Sequence, residues 1–296
     1  MHDGLVVVDK PAGCTSHDVV ARLRRVYEQR RVGHAGTLDP DATGVLLVGL
    51  GRVTRLLRFL QEHTKTYRGD VMLGVATSTL DAGGAVLDRR PLPVTRAQVE
   101  EAARRFLGDG EQVPPMVSAL KVGGRRLHDL ARRGEEVERA ARPIRIDRLD
   151  VAAFEPGPYP VATVLVECSP GTYVRSLAAD LGAALGGCAH LDALRRLRVG
   201  SFGLDEARDL DTIAADPTGA LLPPVAAVRD LARVPVDDEQ ARAVRHGMTF
   251  PGSALGAAAG DGPFALVDGA GALLAVYERR KGGFKPTVVV AAPAPV

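Results

Sequence analysis

The stretch RVGHAGTLDPDATG, residues 31–44, is the most informative part of the sequence. Its glycines at positions 33, 36 and 44 permit tight turns and a close approach of the backbone to a ligand. Asp39 precedes Pro40, which disfavours helical geometry at Asp39 and presents its carboxylate on a turn. The carboxylate lies beside His34 and follows the arginines of residues 22–31. This pattern indicates either a catalytic acid facing a polyanion or a plain Asp-Pro turn before a helix at about residues 43–59.

Length and composition are those of an ordinary globular protein. The chain has 296 residues, of which 46% are hydrophobic and 25% charged, which allows one large domain and a smaller one. The sequence contains neither an apolar run of about 18 residues nor a signal pattern, so we expect no transmembrane helix and a cytoplasmic location. Cys14, Cys168 and Cys188 lack the spacing of a zinc site or a disulfide framework, and we expect them to be reduced and structural.

Positive charge is clustered, although the net charge is only +2. Residues 22–31 contain five arginines against one glutamate, and residues 121–148 contain nine basic residues against five acidic ones. A single cluster of this kind is typical of a solvated surface with ion pairs. Several clusters together favour a partner with a phosphate backbone, and hence a nucleic acid.

Hydrophobic periodicity predicts alternating strands and helices. Strands are predicted at residues 4–11, 66–75, 144–154 and 161–168, and helices from Thr15-Ser16 to about Arg30, at 95–107, at 45–60, and after SPGTY up to Gly186-Gly187. A change of composition beyond about Pro223 predicts a linker near residues 216–235. Short apolar runs separated by glycines then predict a compact β-rich module.

Two further segments place reactive side chains next to turns. Tyr173 and Arg175 stand at the start of a predicted helix, and Tyr67 stands on a predicted strand. With Asp39, these residues place a carboxylate, a guanidinium and an aromatic ring on three separate elements.

Five segments, in order and at similar spacing, resemble the TruB family of bacterial tRNA pseudouridine-55 synthases. They are VDKPAGCTSHDVV (8–20), GHAGTLDPDATG (33–44), TKTYRGDVMLG (64–74), SALKVGGRRLHDLARRG (118–134) and SPGTYVRSLAADLG (169–182). The resemblance implies an α/β (α+β) fold with a mixed, largely antiparallel curved sheet of the pseudouridine synthase type. It also implies a catalytic domain at residues 1–225, with a basic RNA-contacting insertion at about 110–142, and a PUA-like RNA-binding domain at 235–296.

The same resemblance implies an isomerase that converts uridine 55 in the tRNA T-loop to pseudouridine without a cofactor or metal. Asp39 corresponds to the nucleophile that attacks the flipped nucleotide, and Arg175 to the cation that pairs with it. Tyr67 corresponds to the aromatic residue that stacks on the uracil. His34 corresponds to the residue that enters the space left by the flipped base, and Leu194 to the residue that lines the uracil pocket.

Other matching positions are expected to contact the substrate or the RNA: Asp81, Lys10, Tyr173, Lys121, Arg125, Arg126 and His128. The last four belong to the basic insertion and are candidates for phosphate contacts. This chain departs from the family at Ser78, where an acidic residue is often present. The role of that loop position is therefore open.

Two alternative functions remain at this stage. A guide-RNA-dependent branch of the same superfamily shares similar motifs but typically carries a longer basic N-terminal extension. Because Lys10 lies close to the start of this sequence, we expect a stand-alone enzyme, a monomer with no obligate protein partner and no membrane contact. The second alternative is a non-catalytic chaperone of tRNA folding on the same scaffold.

Overall fold

The computed structural model describes residues 2–118, 120–122, 124–127, 130, 133, 135, 137–252, 254–255 and 262–291. The side chains of residues 121, 122 and 126 lie outside this description. Contacts divide the chain into two compact units. Unit 1 comprises Met1–Pro40, Val45–Glu62 and Gly200–Val296, and unit 2 comprises Asp41–Gly44 and His63–Val199.

The described strands are β1 (Gly4–Lys10), β2 (Val32–Ala35), β3 (Thr43–Leu50), β4 (Lys65–Leu73), β5 (Val75–Thr77), β6 (Val86–Arg89), β7 (Gly108–Gln112), β8 (Lys121–Val122), β9 (Arg125–Arg126), β10 (Arg142–Glu155), β11 (Val161–Cys168), β12 (Ala189–Val199), β13 (Phe202–Gly203), β14 (Ala232–Pro235), β15 (Phe264–Val267), β16 (Leu273–Arg280) and β17 (Gly283–Val289). The described α-helices are α1 (Ser16–Val26), α2 (Leu57–Gln61), α3 (Arg96–Arg104), α4 (Val174–Ala184), α5 (Leu210–Ala215) and α6 (Asp238–Arg245).

In unit 1, helix α1 packs with β1, β2 and β3 around an apolar core. Thr15 caps α1 in a reciprocal capping box with Asp18, and the helix ends at Val26, earlier than the predicted Arg30. Val19, Leu23 and the buried side chains of β1 and β3 form the core. The packing of α1 therefore fixes the start of the loop that carries Asp39.

The helix predicted at about residues 43–59 is wrong. Residues 43–50 form β3, a 3-10 helix follows at Gly51–Arg55, and only Leu57–Gln61 are α-helical. Residues 44–50 are all buried. A strand covered on both faces has a continuous apolar run without alternation, which cannot be distinguished from a buried helix by periodicity.

The C-terminal part of unit 1 contains a separate four-stranded sheet in the order β14-β15-β16-β17. β14 pairs in parallel with β15, and the remaining pairs are antiparallel. Phe264, Tyr277 and Phe284 are completely buried in its core. The predicted β-rich character is confirmed, whereas the PUA-like assignment and the domain boundaries stay predictions.

Unit 2 is built on an antiparallel sheet in the order β12-β4-β11-β10-β7. β12 also pairs in parallel with Thr43 and Gly44, so the sheet is mixed and largely antiparallel, as expected. Helix α3 packs against β10, and α4 packs against β12. Among the described residues, no helix is both long and apolar enough to cross a membrane.

Candidate active site

Asp39 lies in the loop between β2 and β3, and a buried polar side chain holds the backbone on each side of it. Ser16 Oγ accepts a hydrogen bond from the Leu38 N–H at 2.9 Å and donates one to the Leu38 carbonyl at 3.1 Å. Lys10 Nζ donates to the Pro40 carbonyl at 2.9 Å. Asp39 itself is only half-buried. The loop therefore presents a carboxylate from a fixed backbone.

Lys10 has an interior position beside the Asp39 loop. Its side chain is 0% exposed and donates a second hydrogen bond, to the Pro11 carbonyl, at 2.8 Å. A buried ammonium group requires such partners because its desolvation is costly. The described bonds place Lys10 in the support of the Asp39 loop, and its expected contact with the substrate or RNA stays a prediction.

His34 lies on β2 opposite Val48 and is half-buried. Its ring meets the ring of His17 edge to face, with 6.3 Å between the centroids. His17 is exposed on the first turn of α1, where hydrogen bonds from the side chain and N–H of Thr15 hold the pKa of Asp18 below its ordinary value. The contact between His17 and His34 was not predicted, because the sequence does not show which residues of two motifs meet.

Tyr67 lies on β4, between β11 and β12 in the unit 2 sheet. Gly69 is two residues further along and faces the same side of the sheet. A Cβ atom added to Gly69 would lie 3.0 Å from Leu191 Cδ1 and 3.6 Å from Leu194 Cδ1. Leu194 therefore covers the sheet face beside Tyr67, and it is half-buried rather than part of the deep core.

Arg175, the second residue of α4, is only 4% exposed. Its Nη1 atom lies 3.2 Å from Asp81 Oδ2 and donates to the Thr79 carbonyl at 3.1 Å. Its Nη2 atom donates to the Val117 carbonyl at 2.8 Å. Burial of a guanidinium is tolerable because carboxylate and carbonyl oxygens surround it. The pairing of Arg175 with Asp39 stays a prediction.

Asp81 lies in the loop that joins β5 and β6. Its Oδ1 atom accepts hydrogen bonds from Thr79 Oγ1 at 2.5 Å and from the Gly83 N–H at 3.1 Å. Ser78, at the position where the family often has an acid, accepts a hydrogen bond from the Ala85 N–H at 3.1 Å through its hydroxyl. Ser78 thus stabilises the loop that presents Asp81 to Arg175.

Tyr173 immediately precedes α4, and its backbone is bound on both sides by one side chain. Gln112 Oε1 accepts from the Tyr173 N–H at 2.8 Å, and Gln112 Nε2 donates to the Tyr173 carbonyl at 3.1 Å. Sequence analysis missed Gln112, because a glutamine in a turn-rich segment carries no recognisable pattern.

The candidate phosphate contacts of the basic insertion are only partly described. β8 and β9 form a short antiparallel hairpin. Arg125 is exposed and lies 3.1 Å from Glu135 Oε1. His128 and the side chains of Lys121 and Arg126 lie outside the described residues. All four phosphate contacts stay predictions.

Comparison with solved structures identifies the same fold in chains of two solved complexes. The chain matches one in a "Cbf5-Nop10-Gar1 complex" with a TM-score of 0.75 and 24% identity, covering 98% of this chain and 85% of the other. It matches one in an "archaeal box H/ACA sRNP Nop10-Cbf5 complex" with a TM-score of 0.72 and 25% identity, covering 98% and 87%. At this level of identity the likeness concerns the fold.

Comparison of sequences identifies the class and the family. Residues 24–174 match the model of the TruB family pseudouridylate synthase N-terminal domain, and residues 175–217 match that of the tRNA pseudouridylate synthase B C-terminal domain. These matches define a pseudouridine synthase, which is an isomerase. A relative named tRNA pseudouridine synthase B from Mycobacterium bovis (strain BCG / Pasteur 1173P2) is 45% identical over 293 residues, 98% of this chain and 96% of the relative. Its namesake from Mycobacteroides abscessus is 47% identical over 294 residues, 98% and 97% of the two chains. The chain belongs to the TruB family of pseudouridylate synthases.

Proposed function

We propose that this chain converts uridine 55 in the T-loop of tRNA to pseudouridine, with Asp39 as the nucleophile and without a guide RNA or partner protein. The observation that carries the proposal is the Asp39 loop, in which Ser16 and Lys10 hold the backbone on both sides of a half-buried carboxylate. The near-complete match to relatives named tRNA pseudouridine synthase B supports tRNA as the substrate.

The reaction exchanges one bond of the nucleotide for another. The bond between N1 and C1′ breaks, a bond between C5 and C1′ forms, C5 loses a proton and N1 gains one, so the atomic composition is unchanged. Asp39 attacks the flipped nucleotide, at the base or at the sugar, and divides the exchange into easier steps. A fixed backbone favours this attack because a positioned nucleophile loses little further entropy in reaching the transition state.

The family resemblance assigns the other proposed catalytic roles to residues of unit 2. Arg175, held in place by the carbonyls of Thr79 and Val117, is the permanently charged group that orients the carboxylate. Tyr67 stacks on the uracil, an interaction worth about 1–3 kcal/mol per base. Leu194, on the same sheet face, excludes water from the base. In unit 1, His34 enters the space left by the flipped nucleotide.

The remaining surfaces bind the rest of the RNA. The basic insertion, with Arg125 at the hairpin of β8 and β9, contacts phosphates of the T-arm, and the C-terminal β-rich segment acts as a PUA-like RNA-binding domain. We assign residues 1–225 to the catalytic domain and 235–296 to the PUA-like domain. The enzyme acts in the cytoplasm as a monomer.

Substitution of Asp39 tests the nucleophile. The Asp39→Asn variant should bind a T-arm RNA with a Kd within about threefold of the wild type, because shape and hydrogen bonding are kept, but should form no pseudouridine. Asp41→Asn is the matched control, since Asp41 is an exposed acid two residues further along the same loop. Substantial pseudouridine formation by Asp39→Asn would remove Asp39 from this role.

The wild-type chain tests the two alternatives. Purified chain and T-arm RNA alone should yield pseudouridine. Product that appears only after guide RNA and partner proteins are added would favour the guide-dependent class. Faster refolding of tRNA without any product would favour the chaperone.

A further inference from the structure

The start of α4 is joined to the end of β7 by a buried glutamine. Gln112 is 4% exposed, and its amide makes the two hydrogen bonds to the N–H and carbonyl of Tyr173, at 2.8 and 3.1 Å. This pair of hydrogen bonds resembles the pair that a residue of an antiparallel strand makes with the residue opposite it. Two bonds to one residue restrict both the position and the rotation of that peptide segment, which a single bond would not do.

Two further bonds connect the residues that follow Gln112 with the first turn of α4. Ser176 Oγ donates to the Val113 carbonyl at 3.0 Å, and Arg175 Nη2 donates to the Val117 carbonyl at 2.8 Å. The segment after Gln112 therefore supplies one of the oxygens that hold the guanidinium. Displacement of this segment would change the position of the Arg175 charge.

The backbone of Gln112 is itself fixed by the sheet. It is the last residue of β7 and lies opposite Arg142, the first residue of β10. The Gln112 side chain therefore bonds β7, at the edge of the sheet, to Tyr173, two residues before Arg175. A buried amide with both polar atoms bonded is restricted in rotation. Its loss removes the bond to the Tyr173 N–H, whereas the Tyr173 carbonyl keeps the helical bond from the Leu177 N–H at 3.1 Å.

We infer that Gln112 is a positioning residue for the reaction, which sets the location of the Arg175 guanidinium by binding the backbone of Tyr173. The inference rests on the proposed function, because it requires Arg175 to act in catalysis. Gln112 acts on the rate of the chemical step and not on the affinity for RNA, since its amide is buried and engaged with the protein backbone.

Two substitutions of Gln112 test the inference. Gln112→Met keeps the length of the side chain but removes both hydrogen bonds. Gln112→Glu keeps the acceptor for the Tyr173 N–H and regains the donor to the Tyr173 carbonyl only when the carboxyl group is protonated. Thr163→Val is the control, since it removes a hydrogen bond of 2.7 Å between Thr163 and Asp70, on the neighbouring strands β11 and β4 of the same sheet. Single-turnover rates with saturating T-arm RNA, RNA affinity and thermal unfolding are measured for each protein.

Gln112→Met should lower the single-turnover rate tenfold or more, with RNA affinity within threefold of the wild type. Relative to the wild type at the same pH, the rate of Gln112→Glu should rise as the pH is lowered from 8 to 5.5, whereas that of Gln112→Met should stay constant. A change in packing alone would not produce this difference between the two variants.

The contrary outcomes separate the inference from the proposed function. If Gln112→Met loses no more rate than Thr163→Val, or loses only RNA affinity, the positioning role is overturned while the function stands. If the wild-type chain itself forms no pseudouridine in T-arm RNA, the proposed function and this inference are both overturned.

Discussion

At the scale of single residues, the described support of the Asp39 loop comes from side chains that bind backbone atoms. Ser16 binds Leu38, and Lys10 binds Pro40. Both supporting side chains are almost completely buried, so they can hold the loop in one conformation before any RNA arrives. Such preorganisation reduces the entropy that must be lost during the reaction.

Substitutions of two adjacent hydroxyl residues distinguish the support of the Asp39 loop by Ser16 from the capping of α1 by Thr15. Ser16→Ala removes both bonds to Leu38 and should lower the single-turnover rate about tenfold, with RNA binding unchanged. Thr15→Ala removes the cap of α1 and should lower the free energy of unfolding by about 1 kcal/mol with little effect on the rate. Equal rates for the two variants would show that Ser16 does not support the reaction.

Sequence analysis named candidate reactive side chains but not Ser16 or Gln112, which bind the backbone close to two of them. Asp39, Tyr67 and Arg175 belong to motifs that can be recognised in one dimension. Ser16 and Gln112 bind backbone atoms of residues 22 and 61 positions away. The backbone is chemically the same at every position, so such partners leave no pattern in the sequence.

At the scale of elements, three strands of unit 2 were predicted well because their apolar residues are bounded by clear turns, whereas β12 was not predicted. β4, β10 and β11 lie close to their predicted bounds. β3 was mistaken for a helix because both of its faces are covered. Only its neighbours in the sheet, which come from distant parts of the sequence, decide between the two structures.

The start of β3 depends on the absence of a side chain at Gly44. Its φ is +103°, and an added Cβ would lie 2.1 Å from the carbonyl oxygen of Arg196. Gly44→Ala should therefore destabilise the protein by about 3 kcal/mol or more, since strain and overlap add. The free energy of unfolding in urea measures this.

Gly171→Ala is the matched control for this prediction. Gly171 has a φ of +83°, but an added Cβ would meet nothing within 4 Å. Gly171→Ala should lower the free energy of unfolding only by the cost of a left-handed backbone conformation, about 1–2 kcal/mol. Equal losses of stability in the two variants would show that the approach of Arg196 is not the cause.

At the scale of the whole molecule, one buried thiol and two buried phenol groups should lower the free energy of unfolding at high pH. Burial raises the pKa of the Cys168 thiol from 9.0 to about 11, and the pKa values of Tyr27 and Tyr277 from 10.0 to about 12. Above about pH 9 the unfolded chain loses these protons before the folded chain does. The free energy of unfolding should therefore fall as the pH rises from 9 towards 12, by up to about 1.4 kcal/mol per pH unit for each group that titrates.

Urea unfolding at pH 8, 9.5 and 10.5 measures this dependence. Cys168→Ala should be less stable at every pH, because it removes buried atoms, yet its stability should fall less steeply between pH 9 and 10. An unfolding free energy that stayed constant up to pH 11 would contradict the assignment of these groups as buried and protonated.

Contacts group the chain differently from the division predicted by sequence. Composition suggested a change near residues 216–235, whereas contacts combine residues 1–40 and 45–62 with residues 200–296. Composition reports only local character. The pairing of Leu5 with Leu222 and of Val8 with Arg208 joins segments that are about 200 positions apart, and a single sequence carries no mark of such pairs.

Unit 1 combines segments that leave the ribosome at different times, because the chain emerges from its N-terminus. The Asp39 loop emerges well before residues 200–296, which belong to the same unit. β1 cannot receive its partners at Leu222 and Arg208 until those residues have left the exit tunnel. The unit that contains the Asp39 loop is therefore completed only after residue 222 has emerged, so a nascent chain that ends before this point has not yet completed that unit.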